Sequence, residues 1–182
     1  MWKLAAIGSC VLIVIVLAGI GYEEWTAAHP TAAPANAVLR EDLPDPALTP
    51  GVIDPVVTQD TIRTTVCVGG YTKTVRPPQA YTDKLKKEQM REYNRPGKLS
   101  AYQEDHLIPL GLGGSPSDPK NLWPQPNAGY WGAQRKDDLE FYLYGRVCLN
   151  GLPLDQARHD IASDWIAAYQ RYRPTQSHQL VD

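Results

Sequence analysis

The sequence predicts an α+β domain that follows an apolar N-terminal segment and a proline-rich linker. Three observations lead to this prediction: an uninterrupted apolar run near the N-terminus, a cluster of prolines after it, and short extended segments followed by two amphipathic helical patterns. The 182 residues are 43% hydrophobic and 21% charged, which is ordinary for a globular protein. This length favours one domain with accessory segments.

The N-terminal apolar run extends from Leu4 to Ile20, about 17 residues, which is near the short limit for crossing a bilayer. Lys3 precedes the run and two glutamates follow it, so we expect the N-terminus inside and the rest of the chain exported. Residues 1–22 are therefore predicted to be either a transmembrane anchor or a cleaved signal peptide. The domain would face the periplasm or the outside, or be secreted after cleavage.

Residues 23–60 are predicted to be a linker, because they show no apolar period and prolines disfavour both helix and central strand. Six of the sixteen prolines in the chain lie in this stretch: Pro30, Pro34, Pro44, Pro46, Pro50 and Pro55. The globular domain is predicted at residues 61–173, and residues 174–182 are predicted to be a flexible tail. We find no internal repeat.

The first half of the domain is predicted to combine short strands with one helix. Thr61–Val68 is rich in β-branched residues and predicts a strand. The alternating segment Tyr71–Val75 predicts a second strand that pairs with it. Tyr81–Tyr93 predicts a helix that Thr82 can cap. Leu99–Leu110 is predicted to be extended, and Asn121–Trp123 to be a short strand that ends at prolines.

The second half of the domain is predicted to consist of two amphipathic helices, at Ala133–Val147 and Leu154–Tyr172. Apolar side chains recur in them at three- and four-residue spacing, which predicts that one face of each helix belongs to the core. These residues are Leu139, Tyr142, Leu143 and Val147 in the first helix, and Ala157, Ile161, Trp165, Ala168 and Tyr169 in the second.

The chain has three cysteines, of which Cys10 lies inside the apolar run. Cys67 and Cys148 remain for the domain, and an exported protein meets an oxidising environment, so we predict a disulfide between them. Two buried free thiols are the alternative. No Cys-x-x-Cys motif is present, and a structural zinc site is therefore not supported.

The net charge of −2 argues against a strongly basic nucleic-acid binder, but the charges are unevenly distributed. Residues 63–98 carry nine basic residues against three acidic ones. This segment could contact a phosphate backbone. The alternative is a solvated helix face with ordinary lysines.

Residues that indicate chemistry are concentrated between positions 102 and 124. Asp105 and His106 are adjacent near the end of a predicted strand, a glycine-rich loop follows, and Asn121 begins the next predicted strand. Histidine suits the deprotonation of water near neutral pH, and a divalent cation can stabilise charge on a phosphate. An amide can hold the histidine in one orientation. The alternative for His106 is a structural histidine packed under a proline-rich loop.

From Asp105 to Pro124 the sequence resembles the HNH, or ββα-metal, nuclease family. The flanks at 67–78 and 154–165 resemble a subfamily of exported bacterial HNH-like proteins. The resemblance implies a ββα-metal core with additional helices, in which His106 is the general base and Asp105 is a metal ligand. It also implies that Asn121 orients His106 by a hydrogen bond across the hairpin.

The sequence departs from the family at the second metal ligand, which many members place as His or Asn in the helix after the hairpin. No histidine lies between His106 and His159. We predict Asp137 and Glu140 as ligands instead, because residues three apart share a helix face. A solvated helix face is the alternative. These oxygen ligands favour one divalent cation, Mg²⁺, with Mn²⁺ or Zn²⁺ as alternatives.

Lys136, with Arg135 as the alternative, is predicted to neutralise charge in the transition state. The competing interpretation is a surface salt bridge. The predicted catalytic residues are therefore His106, Asn121 and Lys136.

These features predict a divalent-metal-dependent endonuclease that hydrolyses phosphodiester bonds of DNA, with RNA as the second choice. The predicted partners are nucleic acid and, through residues 1–22, a membrane; no protein partner is predicted. The alternative is a catalytically degenerate HNH-fold protein that binds or associates with the cell envelope, because the second-ligand pattern is incomplete. A different metal-dependent hydrolase on the same core is a third reading.

Overall fold

The structure, a computed structural model, describes residues 40–172. It contains two strands, β1 and β2, and four helices, α1 to α4, with short 3₁₀ turns between them. Within this part of the chain, no helix is long and apolar enough to cross a membrane. The predicted membrane segment at Leu4–Ile20 and the predicted tail from residue 174 lie outside the described residues. The bounds are α1 Tyr71–Val75, α2 Gln79–Glu92, β1 Tyr102–His106, β2 Leu122–Pro126, α3 Ala133–Asn150 and α4 Leu154–Tyr172.

Strands β1 and β2 form an antiparallel pair, which with the helices confirms the α+β class. The register places Asp105 opposite Trp123 and His106 opposite Leu122. Helix α2 packs against both strands. Its buried Gln89 donates from Nε2 to the carbonyl oxygens of Pro119 (2.9 Å) and Leu122 (2.8 Å). The hairpin is therefore held on one side by a hydrogen-bonded helix.

Helices α3 and α4 pack against each other and supply most of the core, as their apolar spacing predicts. All the residues predicted for this face are buried or packed against the buried cluster. Helix α4 is interrupted at Asp164, whose φ of −165° and ψ of 96° are not helical. The Asp164 carboxylate accepts from the N–H groups of Ile166 (3.0 Å) and Ala167 (2.9 Å), so it caps the second half of the helix.

Two predicted strands at the start of the domain are wrong. Residues 61–68 form a 3₁₀ turn, Ile62–Thr64, and further tight turns, and Tyr71–Val75 forms helix α1. Threonine hydroxyls bond to nearby carbonyls here, as the Thr65 hydroxyl does to the Thr61 oxygen (2.7 Å), and such local bonds compete with strand pairing. Ile62 and Val66, four residues apart, both reach the core from these turns.

The predicted linker extends too far, because residues 40–60 pack onto the domain. Thr49 is fully buried and donates its hydroxyl to the Leu122 carbonyl oxygen (2.9 Å). The indole of Trp165 donates to the Asp42 carbonyl oxygen (2.9 Å), and Arg158 donates to the carbonyl oxygen of the buried Val57 (2.8 Å). The prolines do exclude regular structure here, but the segment finds its hydrogen-bond partners in the domain rather than in itself.

The predicted disulfide between Cys67 and Cys148 is present. It joins the turns before α1 to the end of α3, and its Cα atoms lie 5.5 Å apart. Arg63 reinforces the same junction by donating to the Cys148 carbonyl oxygen (2.9 Å). The first turns of the predicted domain are therefore joined covalently to the end of α3.

Replacing both cysteines, Cys67→Ser and Cys148→Ser, is expected to lower the free energy of unfolding by about 4 kcal/mol, because the bond closes a loop of 81 residues. Urea unfolding of the oxidised wild type and the double variant measures the difference. The wild type unfolded with reducing agent should match the variant. Equal stability of all three samples would contradict the prediction.

Candidate functional site

The candidate site lies where β1 ends and the loop to β2 begins. Asn121 holds this loop: its Oδ1 accepts from the Ile108 N–H, and its Nδ2 donates to the carbonyl oxygens of Ile108 and Ser115, all at 3.0 Å. Gly114 is required in the loop, because a Cβ there would lie 1.8 Å from the Ile108 carbonyl oxygen. The expected bond from Asn121 to the His106 ring is therefore replaced by bonds to the main chain of the loop.

The ring of His106 is oriented by the loop that Asn121 holds. Nε2 lies 2.9 Å from the Pro116 carbonyl oxygen, and because a carbonyl can only accept, Nε2 carries the proton. Nδ1 is then the unprotonated nitrogen. The side chain is buried, and burial lowers the pKa of His106 below its ordinary value. The ring is therefore neutral near pH 7, with a lone pair on Nδ1.

Lys136, in the first turn of α3, lies at the centre of the site and is fully buried. Its ammonium forms ion pairs with Asp105, at 2.7 Å, and with Glu140, and donates to the His106 carbonyl oxygen at 2.7 Å. Three donors thus meet three oxygens. The surface salt bridge considered for Lys136 is wrong, because this cation is enclosed. Arg135, the alternative to Lys136, instead lies 4.1 Å over the Tyr130 ring.

The two carboxylates that pair with this lysine belong to a cluster of three. Oxygen atoms of Asp105, Asp137 and Glu140 lie within 4.8 Å of one another, so the group could hold a metal ion. Asp105 comes from the strand and is buried, whereas Asp137 is exposed on α3. The structure thus brings together the three residues predicted as ligands. All three are oxygen donors, which suits hard cations such as Mg²⁺.

The electrostatics of this cluster are dominated by the buried ammonium. Burial lowers the pKa of Lys136, but Asp105 and Glu140 outweigh burial and raise it, so the lysine stays charged. Burial also raises the pKa of Glu140, and the Lys136 ammonium opposes that rise. One Asp105 oxygen, Oδ1, also accepts from Gln103 Nε2 at 3.2 Å. The other, Oδ2, forms the ion pair with Lys136.

Glu104, which precedes Asp105 in β1, was not predicted as a site residue. Neither oxygen of its carboxyl group has a hydrogen-bond partner among residues 40–172. Burial raises the pKa of Glu104 to about 8, although Lys86 opposes this. Successive side chains of a strand point to opposite faces, so the sequence predicts Glu104 and Asp105 on opposite faces of β1. It gives no signal that helix α2 packs against this strand.

Glu104 is expected to make the protein less stable as the pH rises from about 4 to about 8. In this range the folded carboxyl group keeps its proton, whereas the same group in the unfolded chain, with a pKa near 4.5, releases it. Each increase in pH therefore stabilises the unfolded state relative to the folded state. Glu104→Gln should remove up to about 4 kcal/mol of this loss. Urea unfolding at pH 5 and pH 9 measures it, with Glu92→Gln, on the exposed end of α2, as the control. An unchanged pH dependence in Glu104→Gln would contradict this assignment.

Comparison of the chain with protein-family models, with curated proteins and with solved structures found no match.

Proposed function

We propose that residues 40–172 form a divalent-metal-dependent endonuclease with an HNH-type core. The observation that carries the proposal is the juxtaposition at the end of β1: a buried, loop-oriented histidine directly follows a carboxylate that belongs to a three-carboxylate cluster. The order β1, loop, β2 and then α3 also follows the ββα order of the family that the sequence resembles. Helices α2 and α4 would be the additions to that core.

The residues of the cluster fit a divalent cation in their chemistry. Asp105, Asp137 and Glu140 would hold it through oxygen atoms, which lie within 4.8 Å of one another. The ion would supply charge stabilisation to the phosphate and to the leaving oxygen. We propose Mg²⁺, with Mn²⁺ or Zn²⁺ as alternatives.

The chain's own groups would perform the proton transfer. Nδ1 of His106 accepts a proton from a water molecule, whose oxygen attacks phosphorus while the bond from phosphorus to the 3′ oxygen breaks. The hydrogen bond from Nε2 to Pro116 fixes the ring orientation during this step and stabilises the imidazolium that forms. Asn121 does not contact the ring and acts indirectly, because it holds the loop that carries Pro116.

We also propose that the domain functions outside the cytoplasm, held by or released from the N-terminal apolar segment. The Cys67–Cys148 disulfide supports this location, because such bonds persist in oxidising compartments. The substrate would then be extracellular or periplasmic nucleic acid, DNA ahead of RNA.

A second candidate function is a non-catalytic binding or envelope-associated protein on the same fold. Lys136 favours it, because its ammonium already neutralises two of the three carboxylates. A metal ion at the same oxygens would be repelled by this buried charge. The two candidates differ in one measurable property, which is metal-dependent cleavage.

The deciding experiment incubates the full chain with plasmid and with single-stranded DNA in Mg²⁺, Mn²⁺, Zn²⁺ or EDTA. Cleavage that needs a divalent ion supports the nuclease. Asp137→Asn, an isosteric change at an exposed ligand, should weaken both cleavage and the metal binding seen by calorimetry, whereas Asp155→Asn on α4 should not. If the protein neither binds a metal ion nor cleaves either substrate, the result supports the second candidate instead.

A further inference from the structure

A groove next to the carboxylate cluster has the composition of a nucleobase site. It is a cavity of about 260 Å³ that shares Glu140 with the cluster. Three aromatic residues, Tyr71, Phe141 and Tyr144, line it together with the cation Arg76. The groove therefore adjoins the candidate metal site at Glu140, and aromatic rings form part of its lining.

One face of helix α3 supplies both the acids and the aromatics. Counted from Asp137, the positions three, four and seven residues later are Glu140, Phe141 and Tyr144. This spacing places all four residues along one side of the helix. The ring of Tyr144 packs close to Gly111, since a Cβ on that glycine would lie 3.5 Å from the ring. Phe141 is different: 68% of its surface is exposed, so an aromatic face is presented to solvent directly beside Glu140.

Arg76 adds positive charge to the lining of the groove. It is exposed and lies between helices α1 and α2, within the basic segment 63–98. A polymeric ligand with a negatively charged backbone and flat rings would contact Arg76 and the aromatic residues at the same time.

We propose that this groove binds single-stranded nucleic acid, with one unpaired base stacked on Phe141 and the phosphate beside it contacted by Arg76. Single strands fit better than duplex, because the flat faces of paired bases are covered by their neighbours and cannot reach a side chain. This inference rests on the proposed nuclease function, to which it adds the preferred substrate. The preference would be for unpaired regions.

The test measures binding by the full chain in EDTA, so that no cleavage interferes. The probes are a fluorescently labelled single-stranded oligonucleotide and a hairpin duplex of the same composition. We expect tighter binding of the single strand, and a loss of about tenfold in its affinity for Phe141→Ala. The matched control is Leu149→Ala, since Leu149 is 80% exposed on the same helix but does not line the groove.

Arg76→Gln is expected to weaken binding of the single strand and to reduce its salt dependence. Lys87→Gln removes one charge from the same basic segment outside the groove, so it should have the smaller effect. A 2-aminopurine base in the oligonucleotide should be quenched by the wild type and less so by Phe141→Ala, which reports stacking directly.

Equal binding of duplex and single strand, or unchanged binding by Phe141→Ala, would overturn the inference. Either result is also expected if another segment of this chain occupies the groove, so that occupant too would be incompatible with the inference. The result is separable from the proposed function. Metal-dependent cleavage without single-strand preference refutes only the groove, whereas groove-dependent binding without any cleavage refutes the nuclease and retains the binding site.

Discussion

Replacing His106 by alanine is expected to lower the rate of nucleic-acid cleavage by about 10²- to 10⁴-fold while leaving metal affinity nearly unchanged. The reason is the position of the ring, whose Nε2 is bound to Pro116 and whose Nδ1 is left to accept a proton. The carboxylate cluster does not include the ring, so the binding of a cation should survive its loss. Single-turnover cleavage and calorimetry with Mg²⁺ measure the two properties separately.

The matched control is His159→Ala, which removes an exposed histidine on α4. It should cleave at the wild-type rate. Added imidazole should restore part of the activity of His106→Ala, which a purely structural histidine would not allow. Cleavage by His106→Ala at the wild-type rate would exclude a general base at this position.

Replacing Lys136 by methionine is expected to lower the free energy of unfolding by about 3 to 5 kcal/mol. The loss follows because Asp105 and Glu140 would face each other without the buried ammonium. The His106 carbonyl oxygen would lose its donor as well. Urea unfolding of the full chain gives the value, with Lys87→Met, an exposed lysine on α2, as the control.

The same variant tests whether the carboxylates accept a cation. Millimolar Mg²⁺ or Mn²⁺ should restore more stability to Lys136→Met than it adds to the wild type, because the ion would take the place of the ammonium between the carboxylates. Adding Asp105→Asn to Lys136→Met should also recover stability, since it removes one of the uncompensated charges. A variant as stable as the wild type, with or without metal, would show that the ion pairs do not stabilise the fold.

The elements that the sequence predicts correctly are those with a strong local pattern. Helix α4 begins and ends at the predicted residues, because its apolar residues recur at helical spacing. The segment around Thr65 failed for the opposite reason: its β-branched residues favour a strand, but threonine hydroxyls and a disulfide to α3 hold it in turns. Proline content likewise predicts the lack of α-helix and strand that the structure shows between residues 40 and 60, but not whether that segment packs.

For the candidate site, the sequence by itself determined which chemical groups are available: an adjacent acid and histidine, an amide and two acids one helical turn apart. These follow from residue type and spacing, which are local. Only the tertiary structure decided that Lys136 lies buried among the acids and that Asn121 binds the loop rather than the histidine. Ion pairing and burial depend on residues that are far apart along the chain, such as Asp105 and Lys136, and no local pattern encodes that contact.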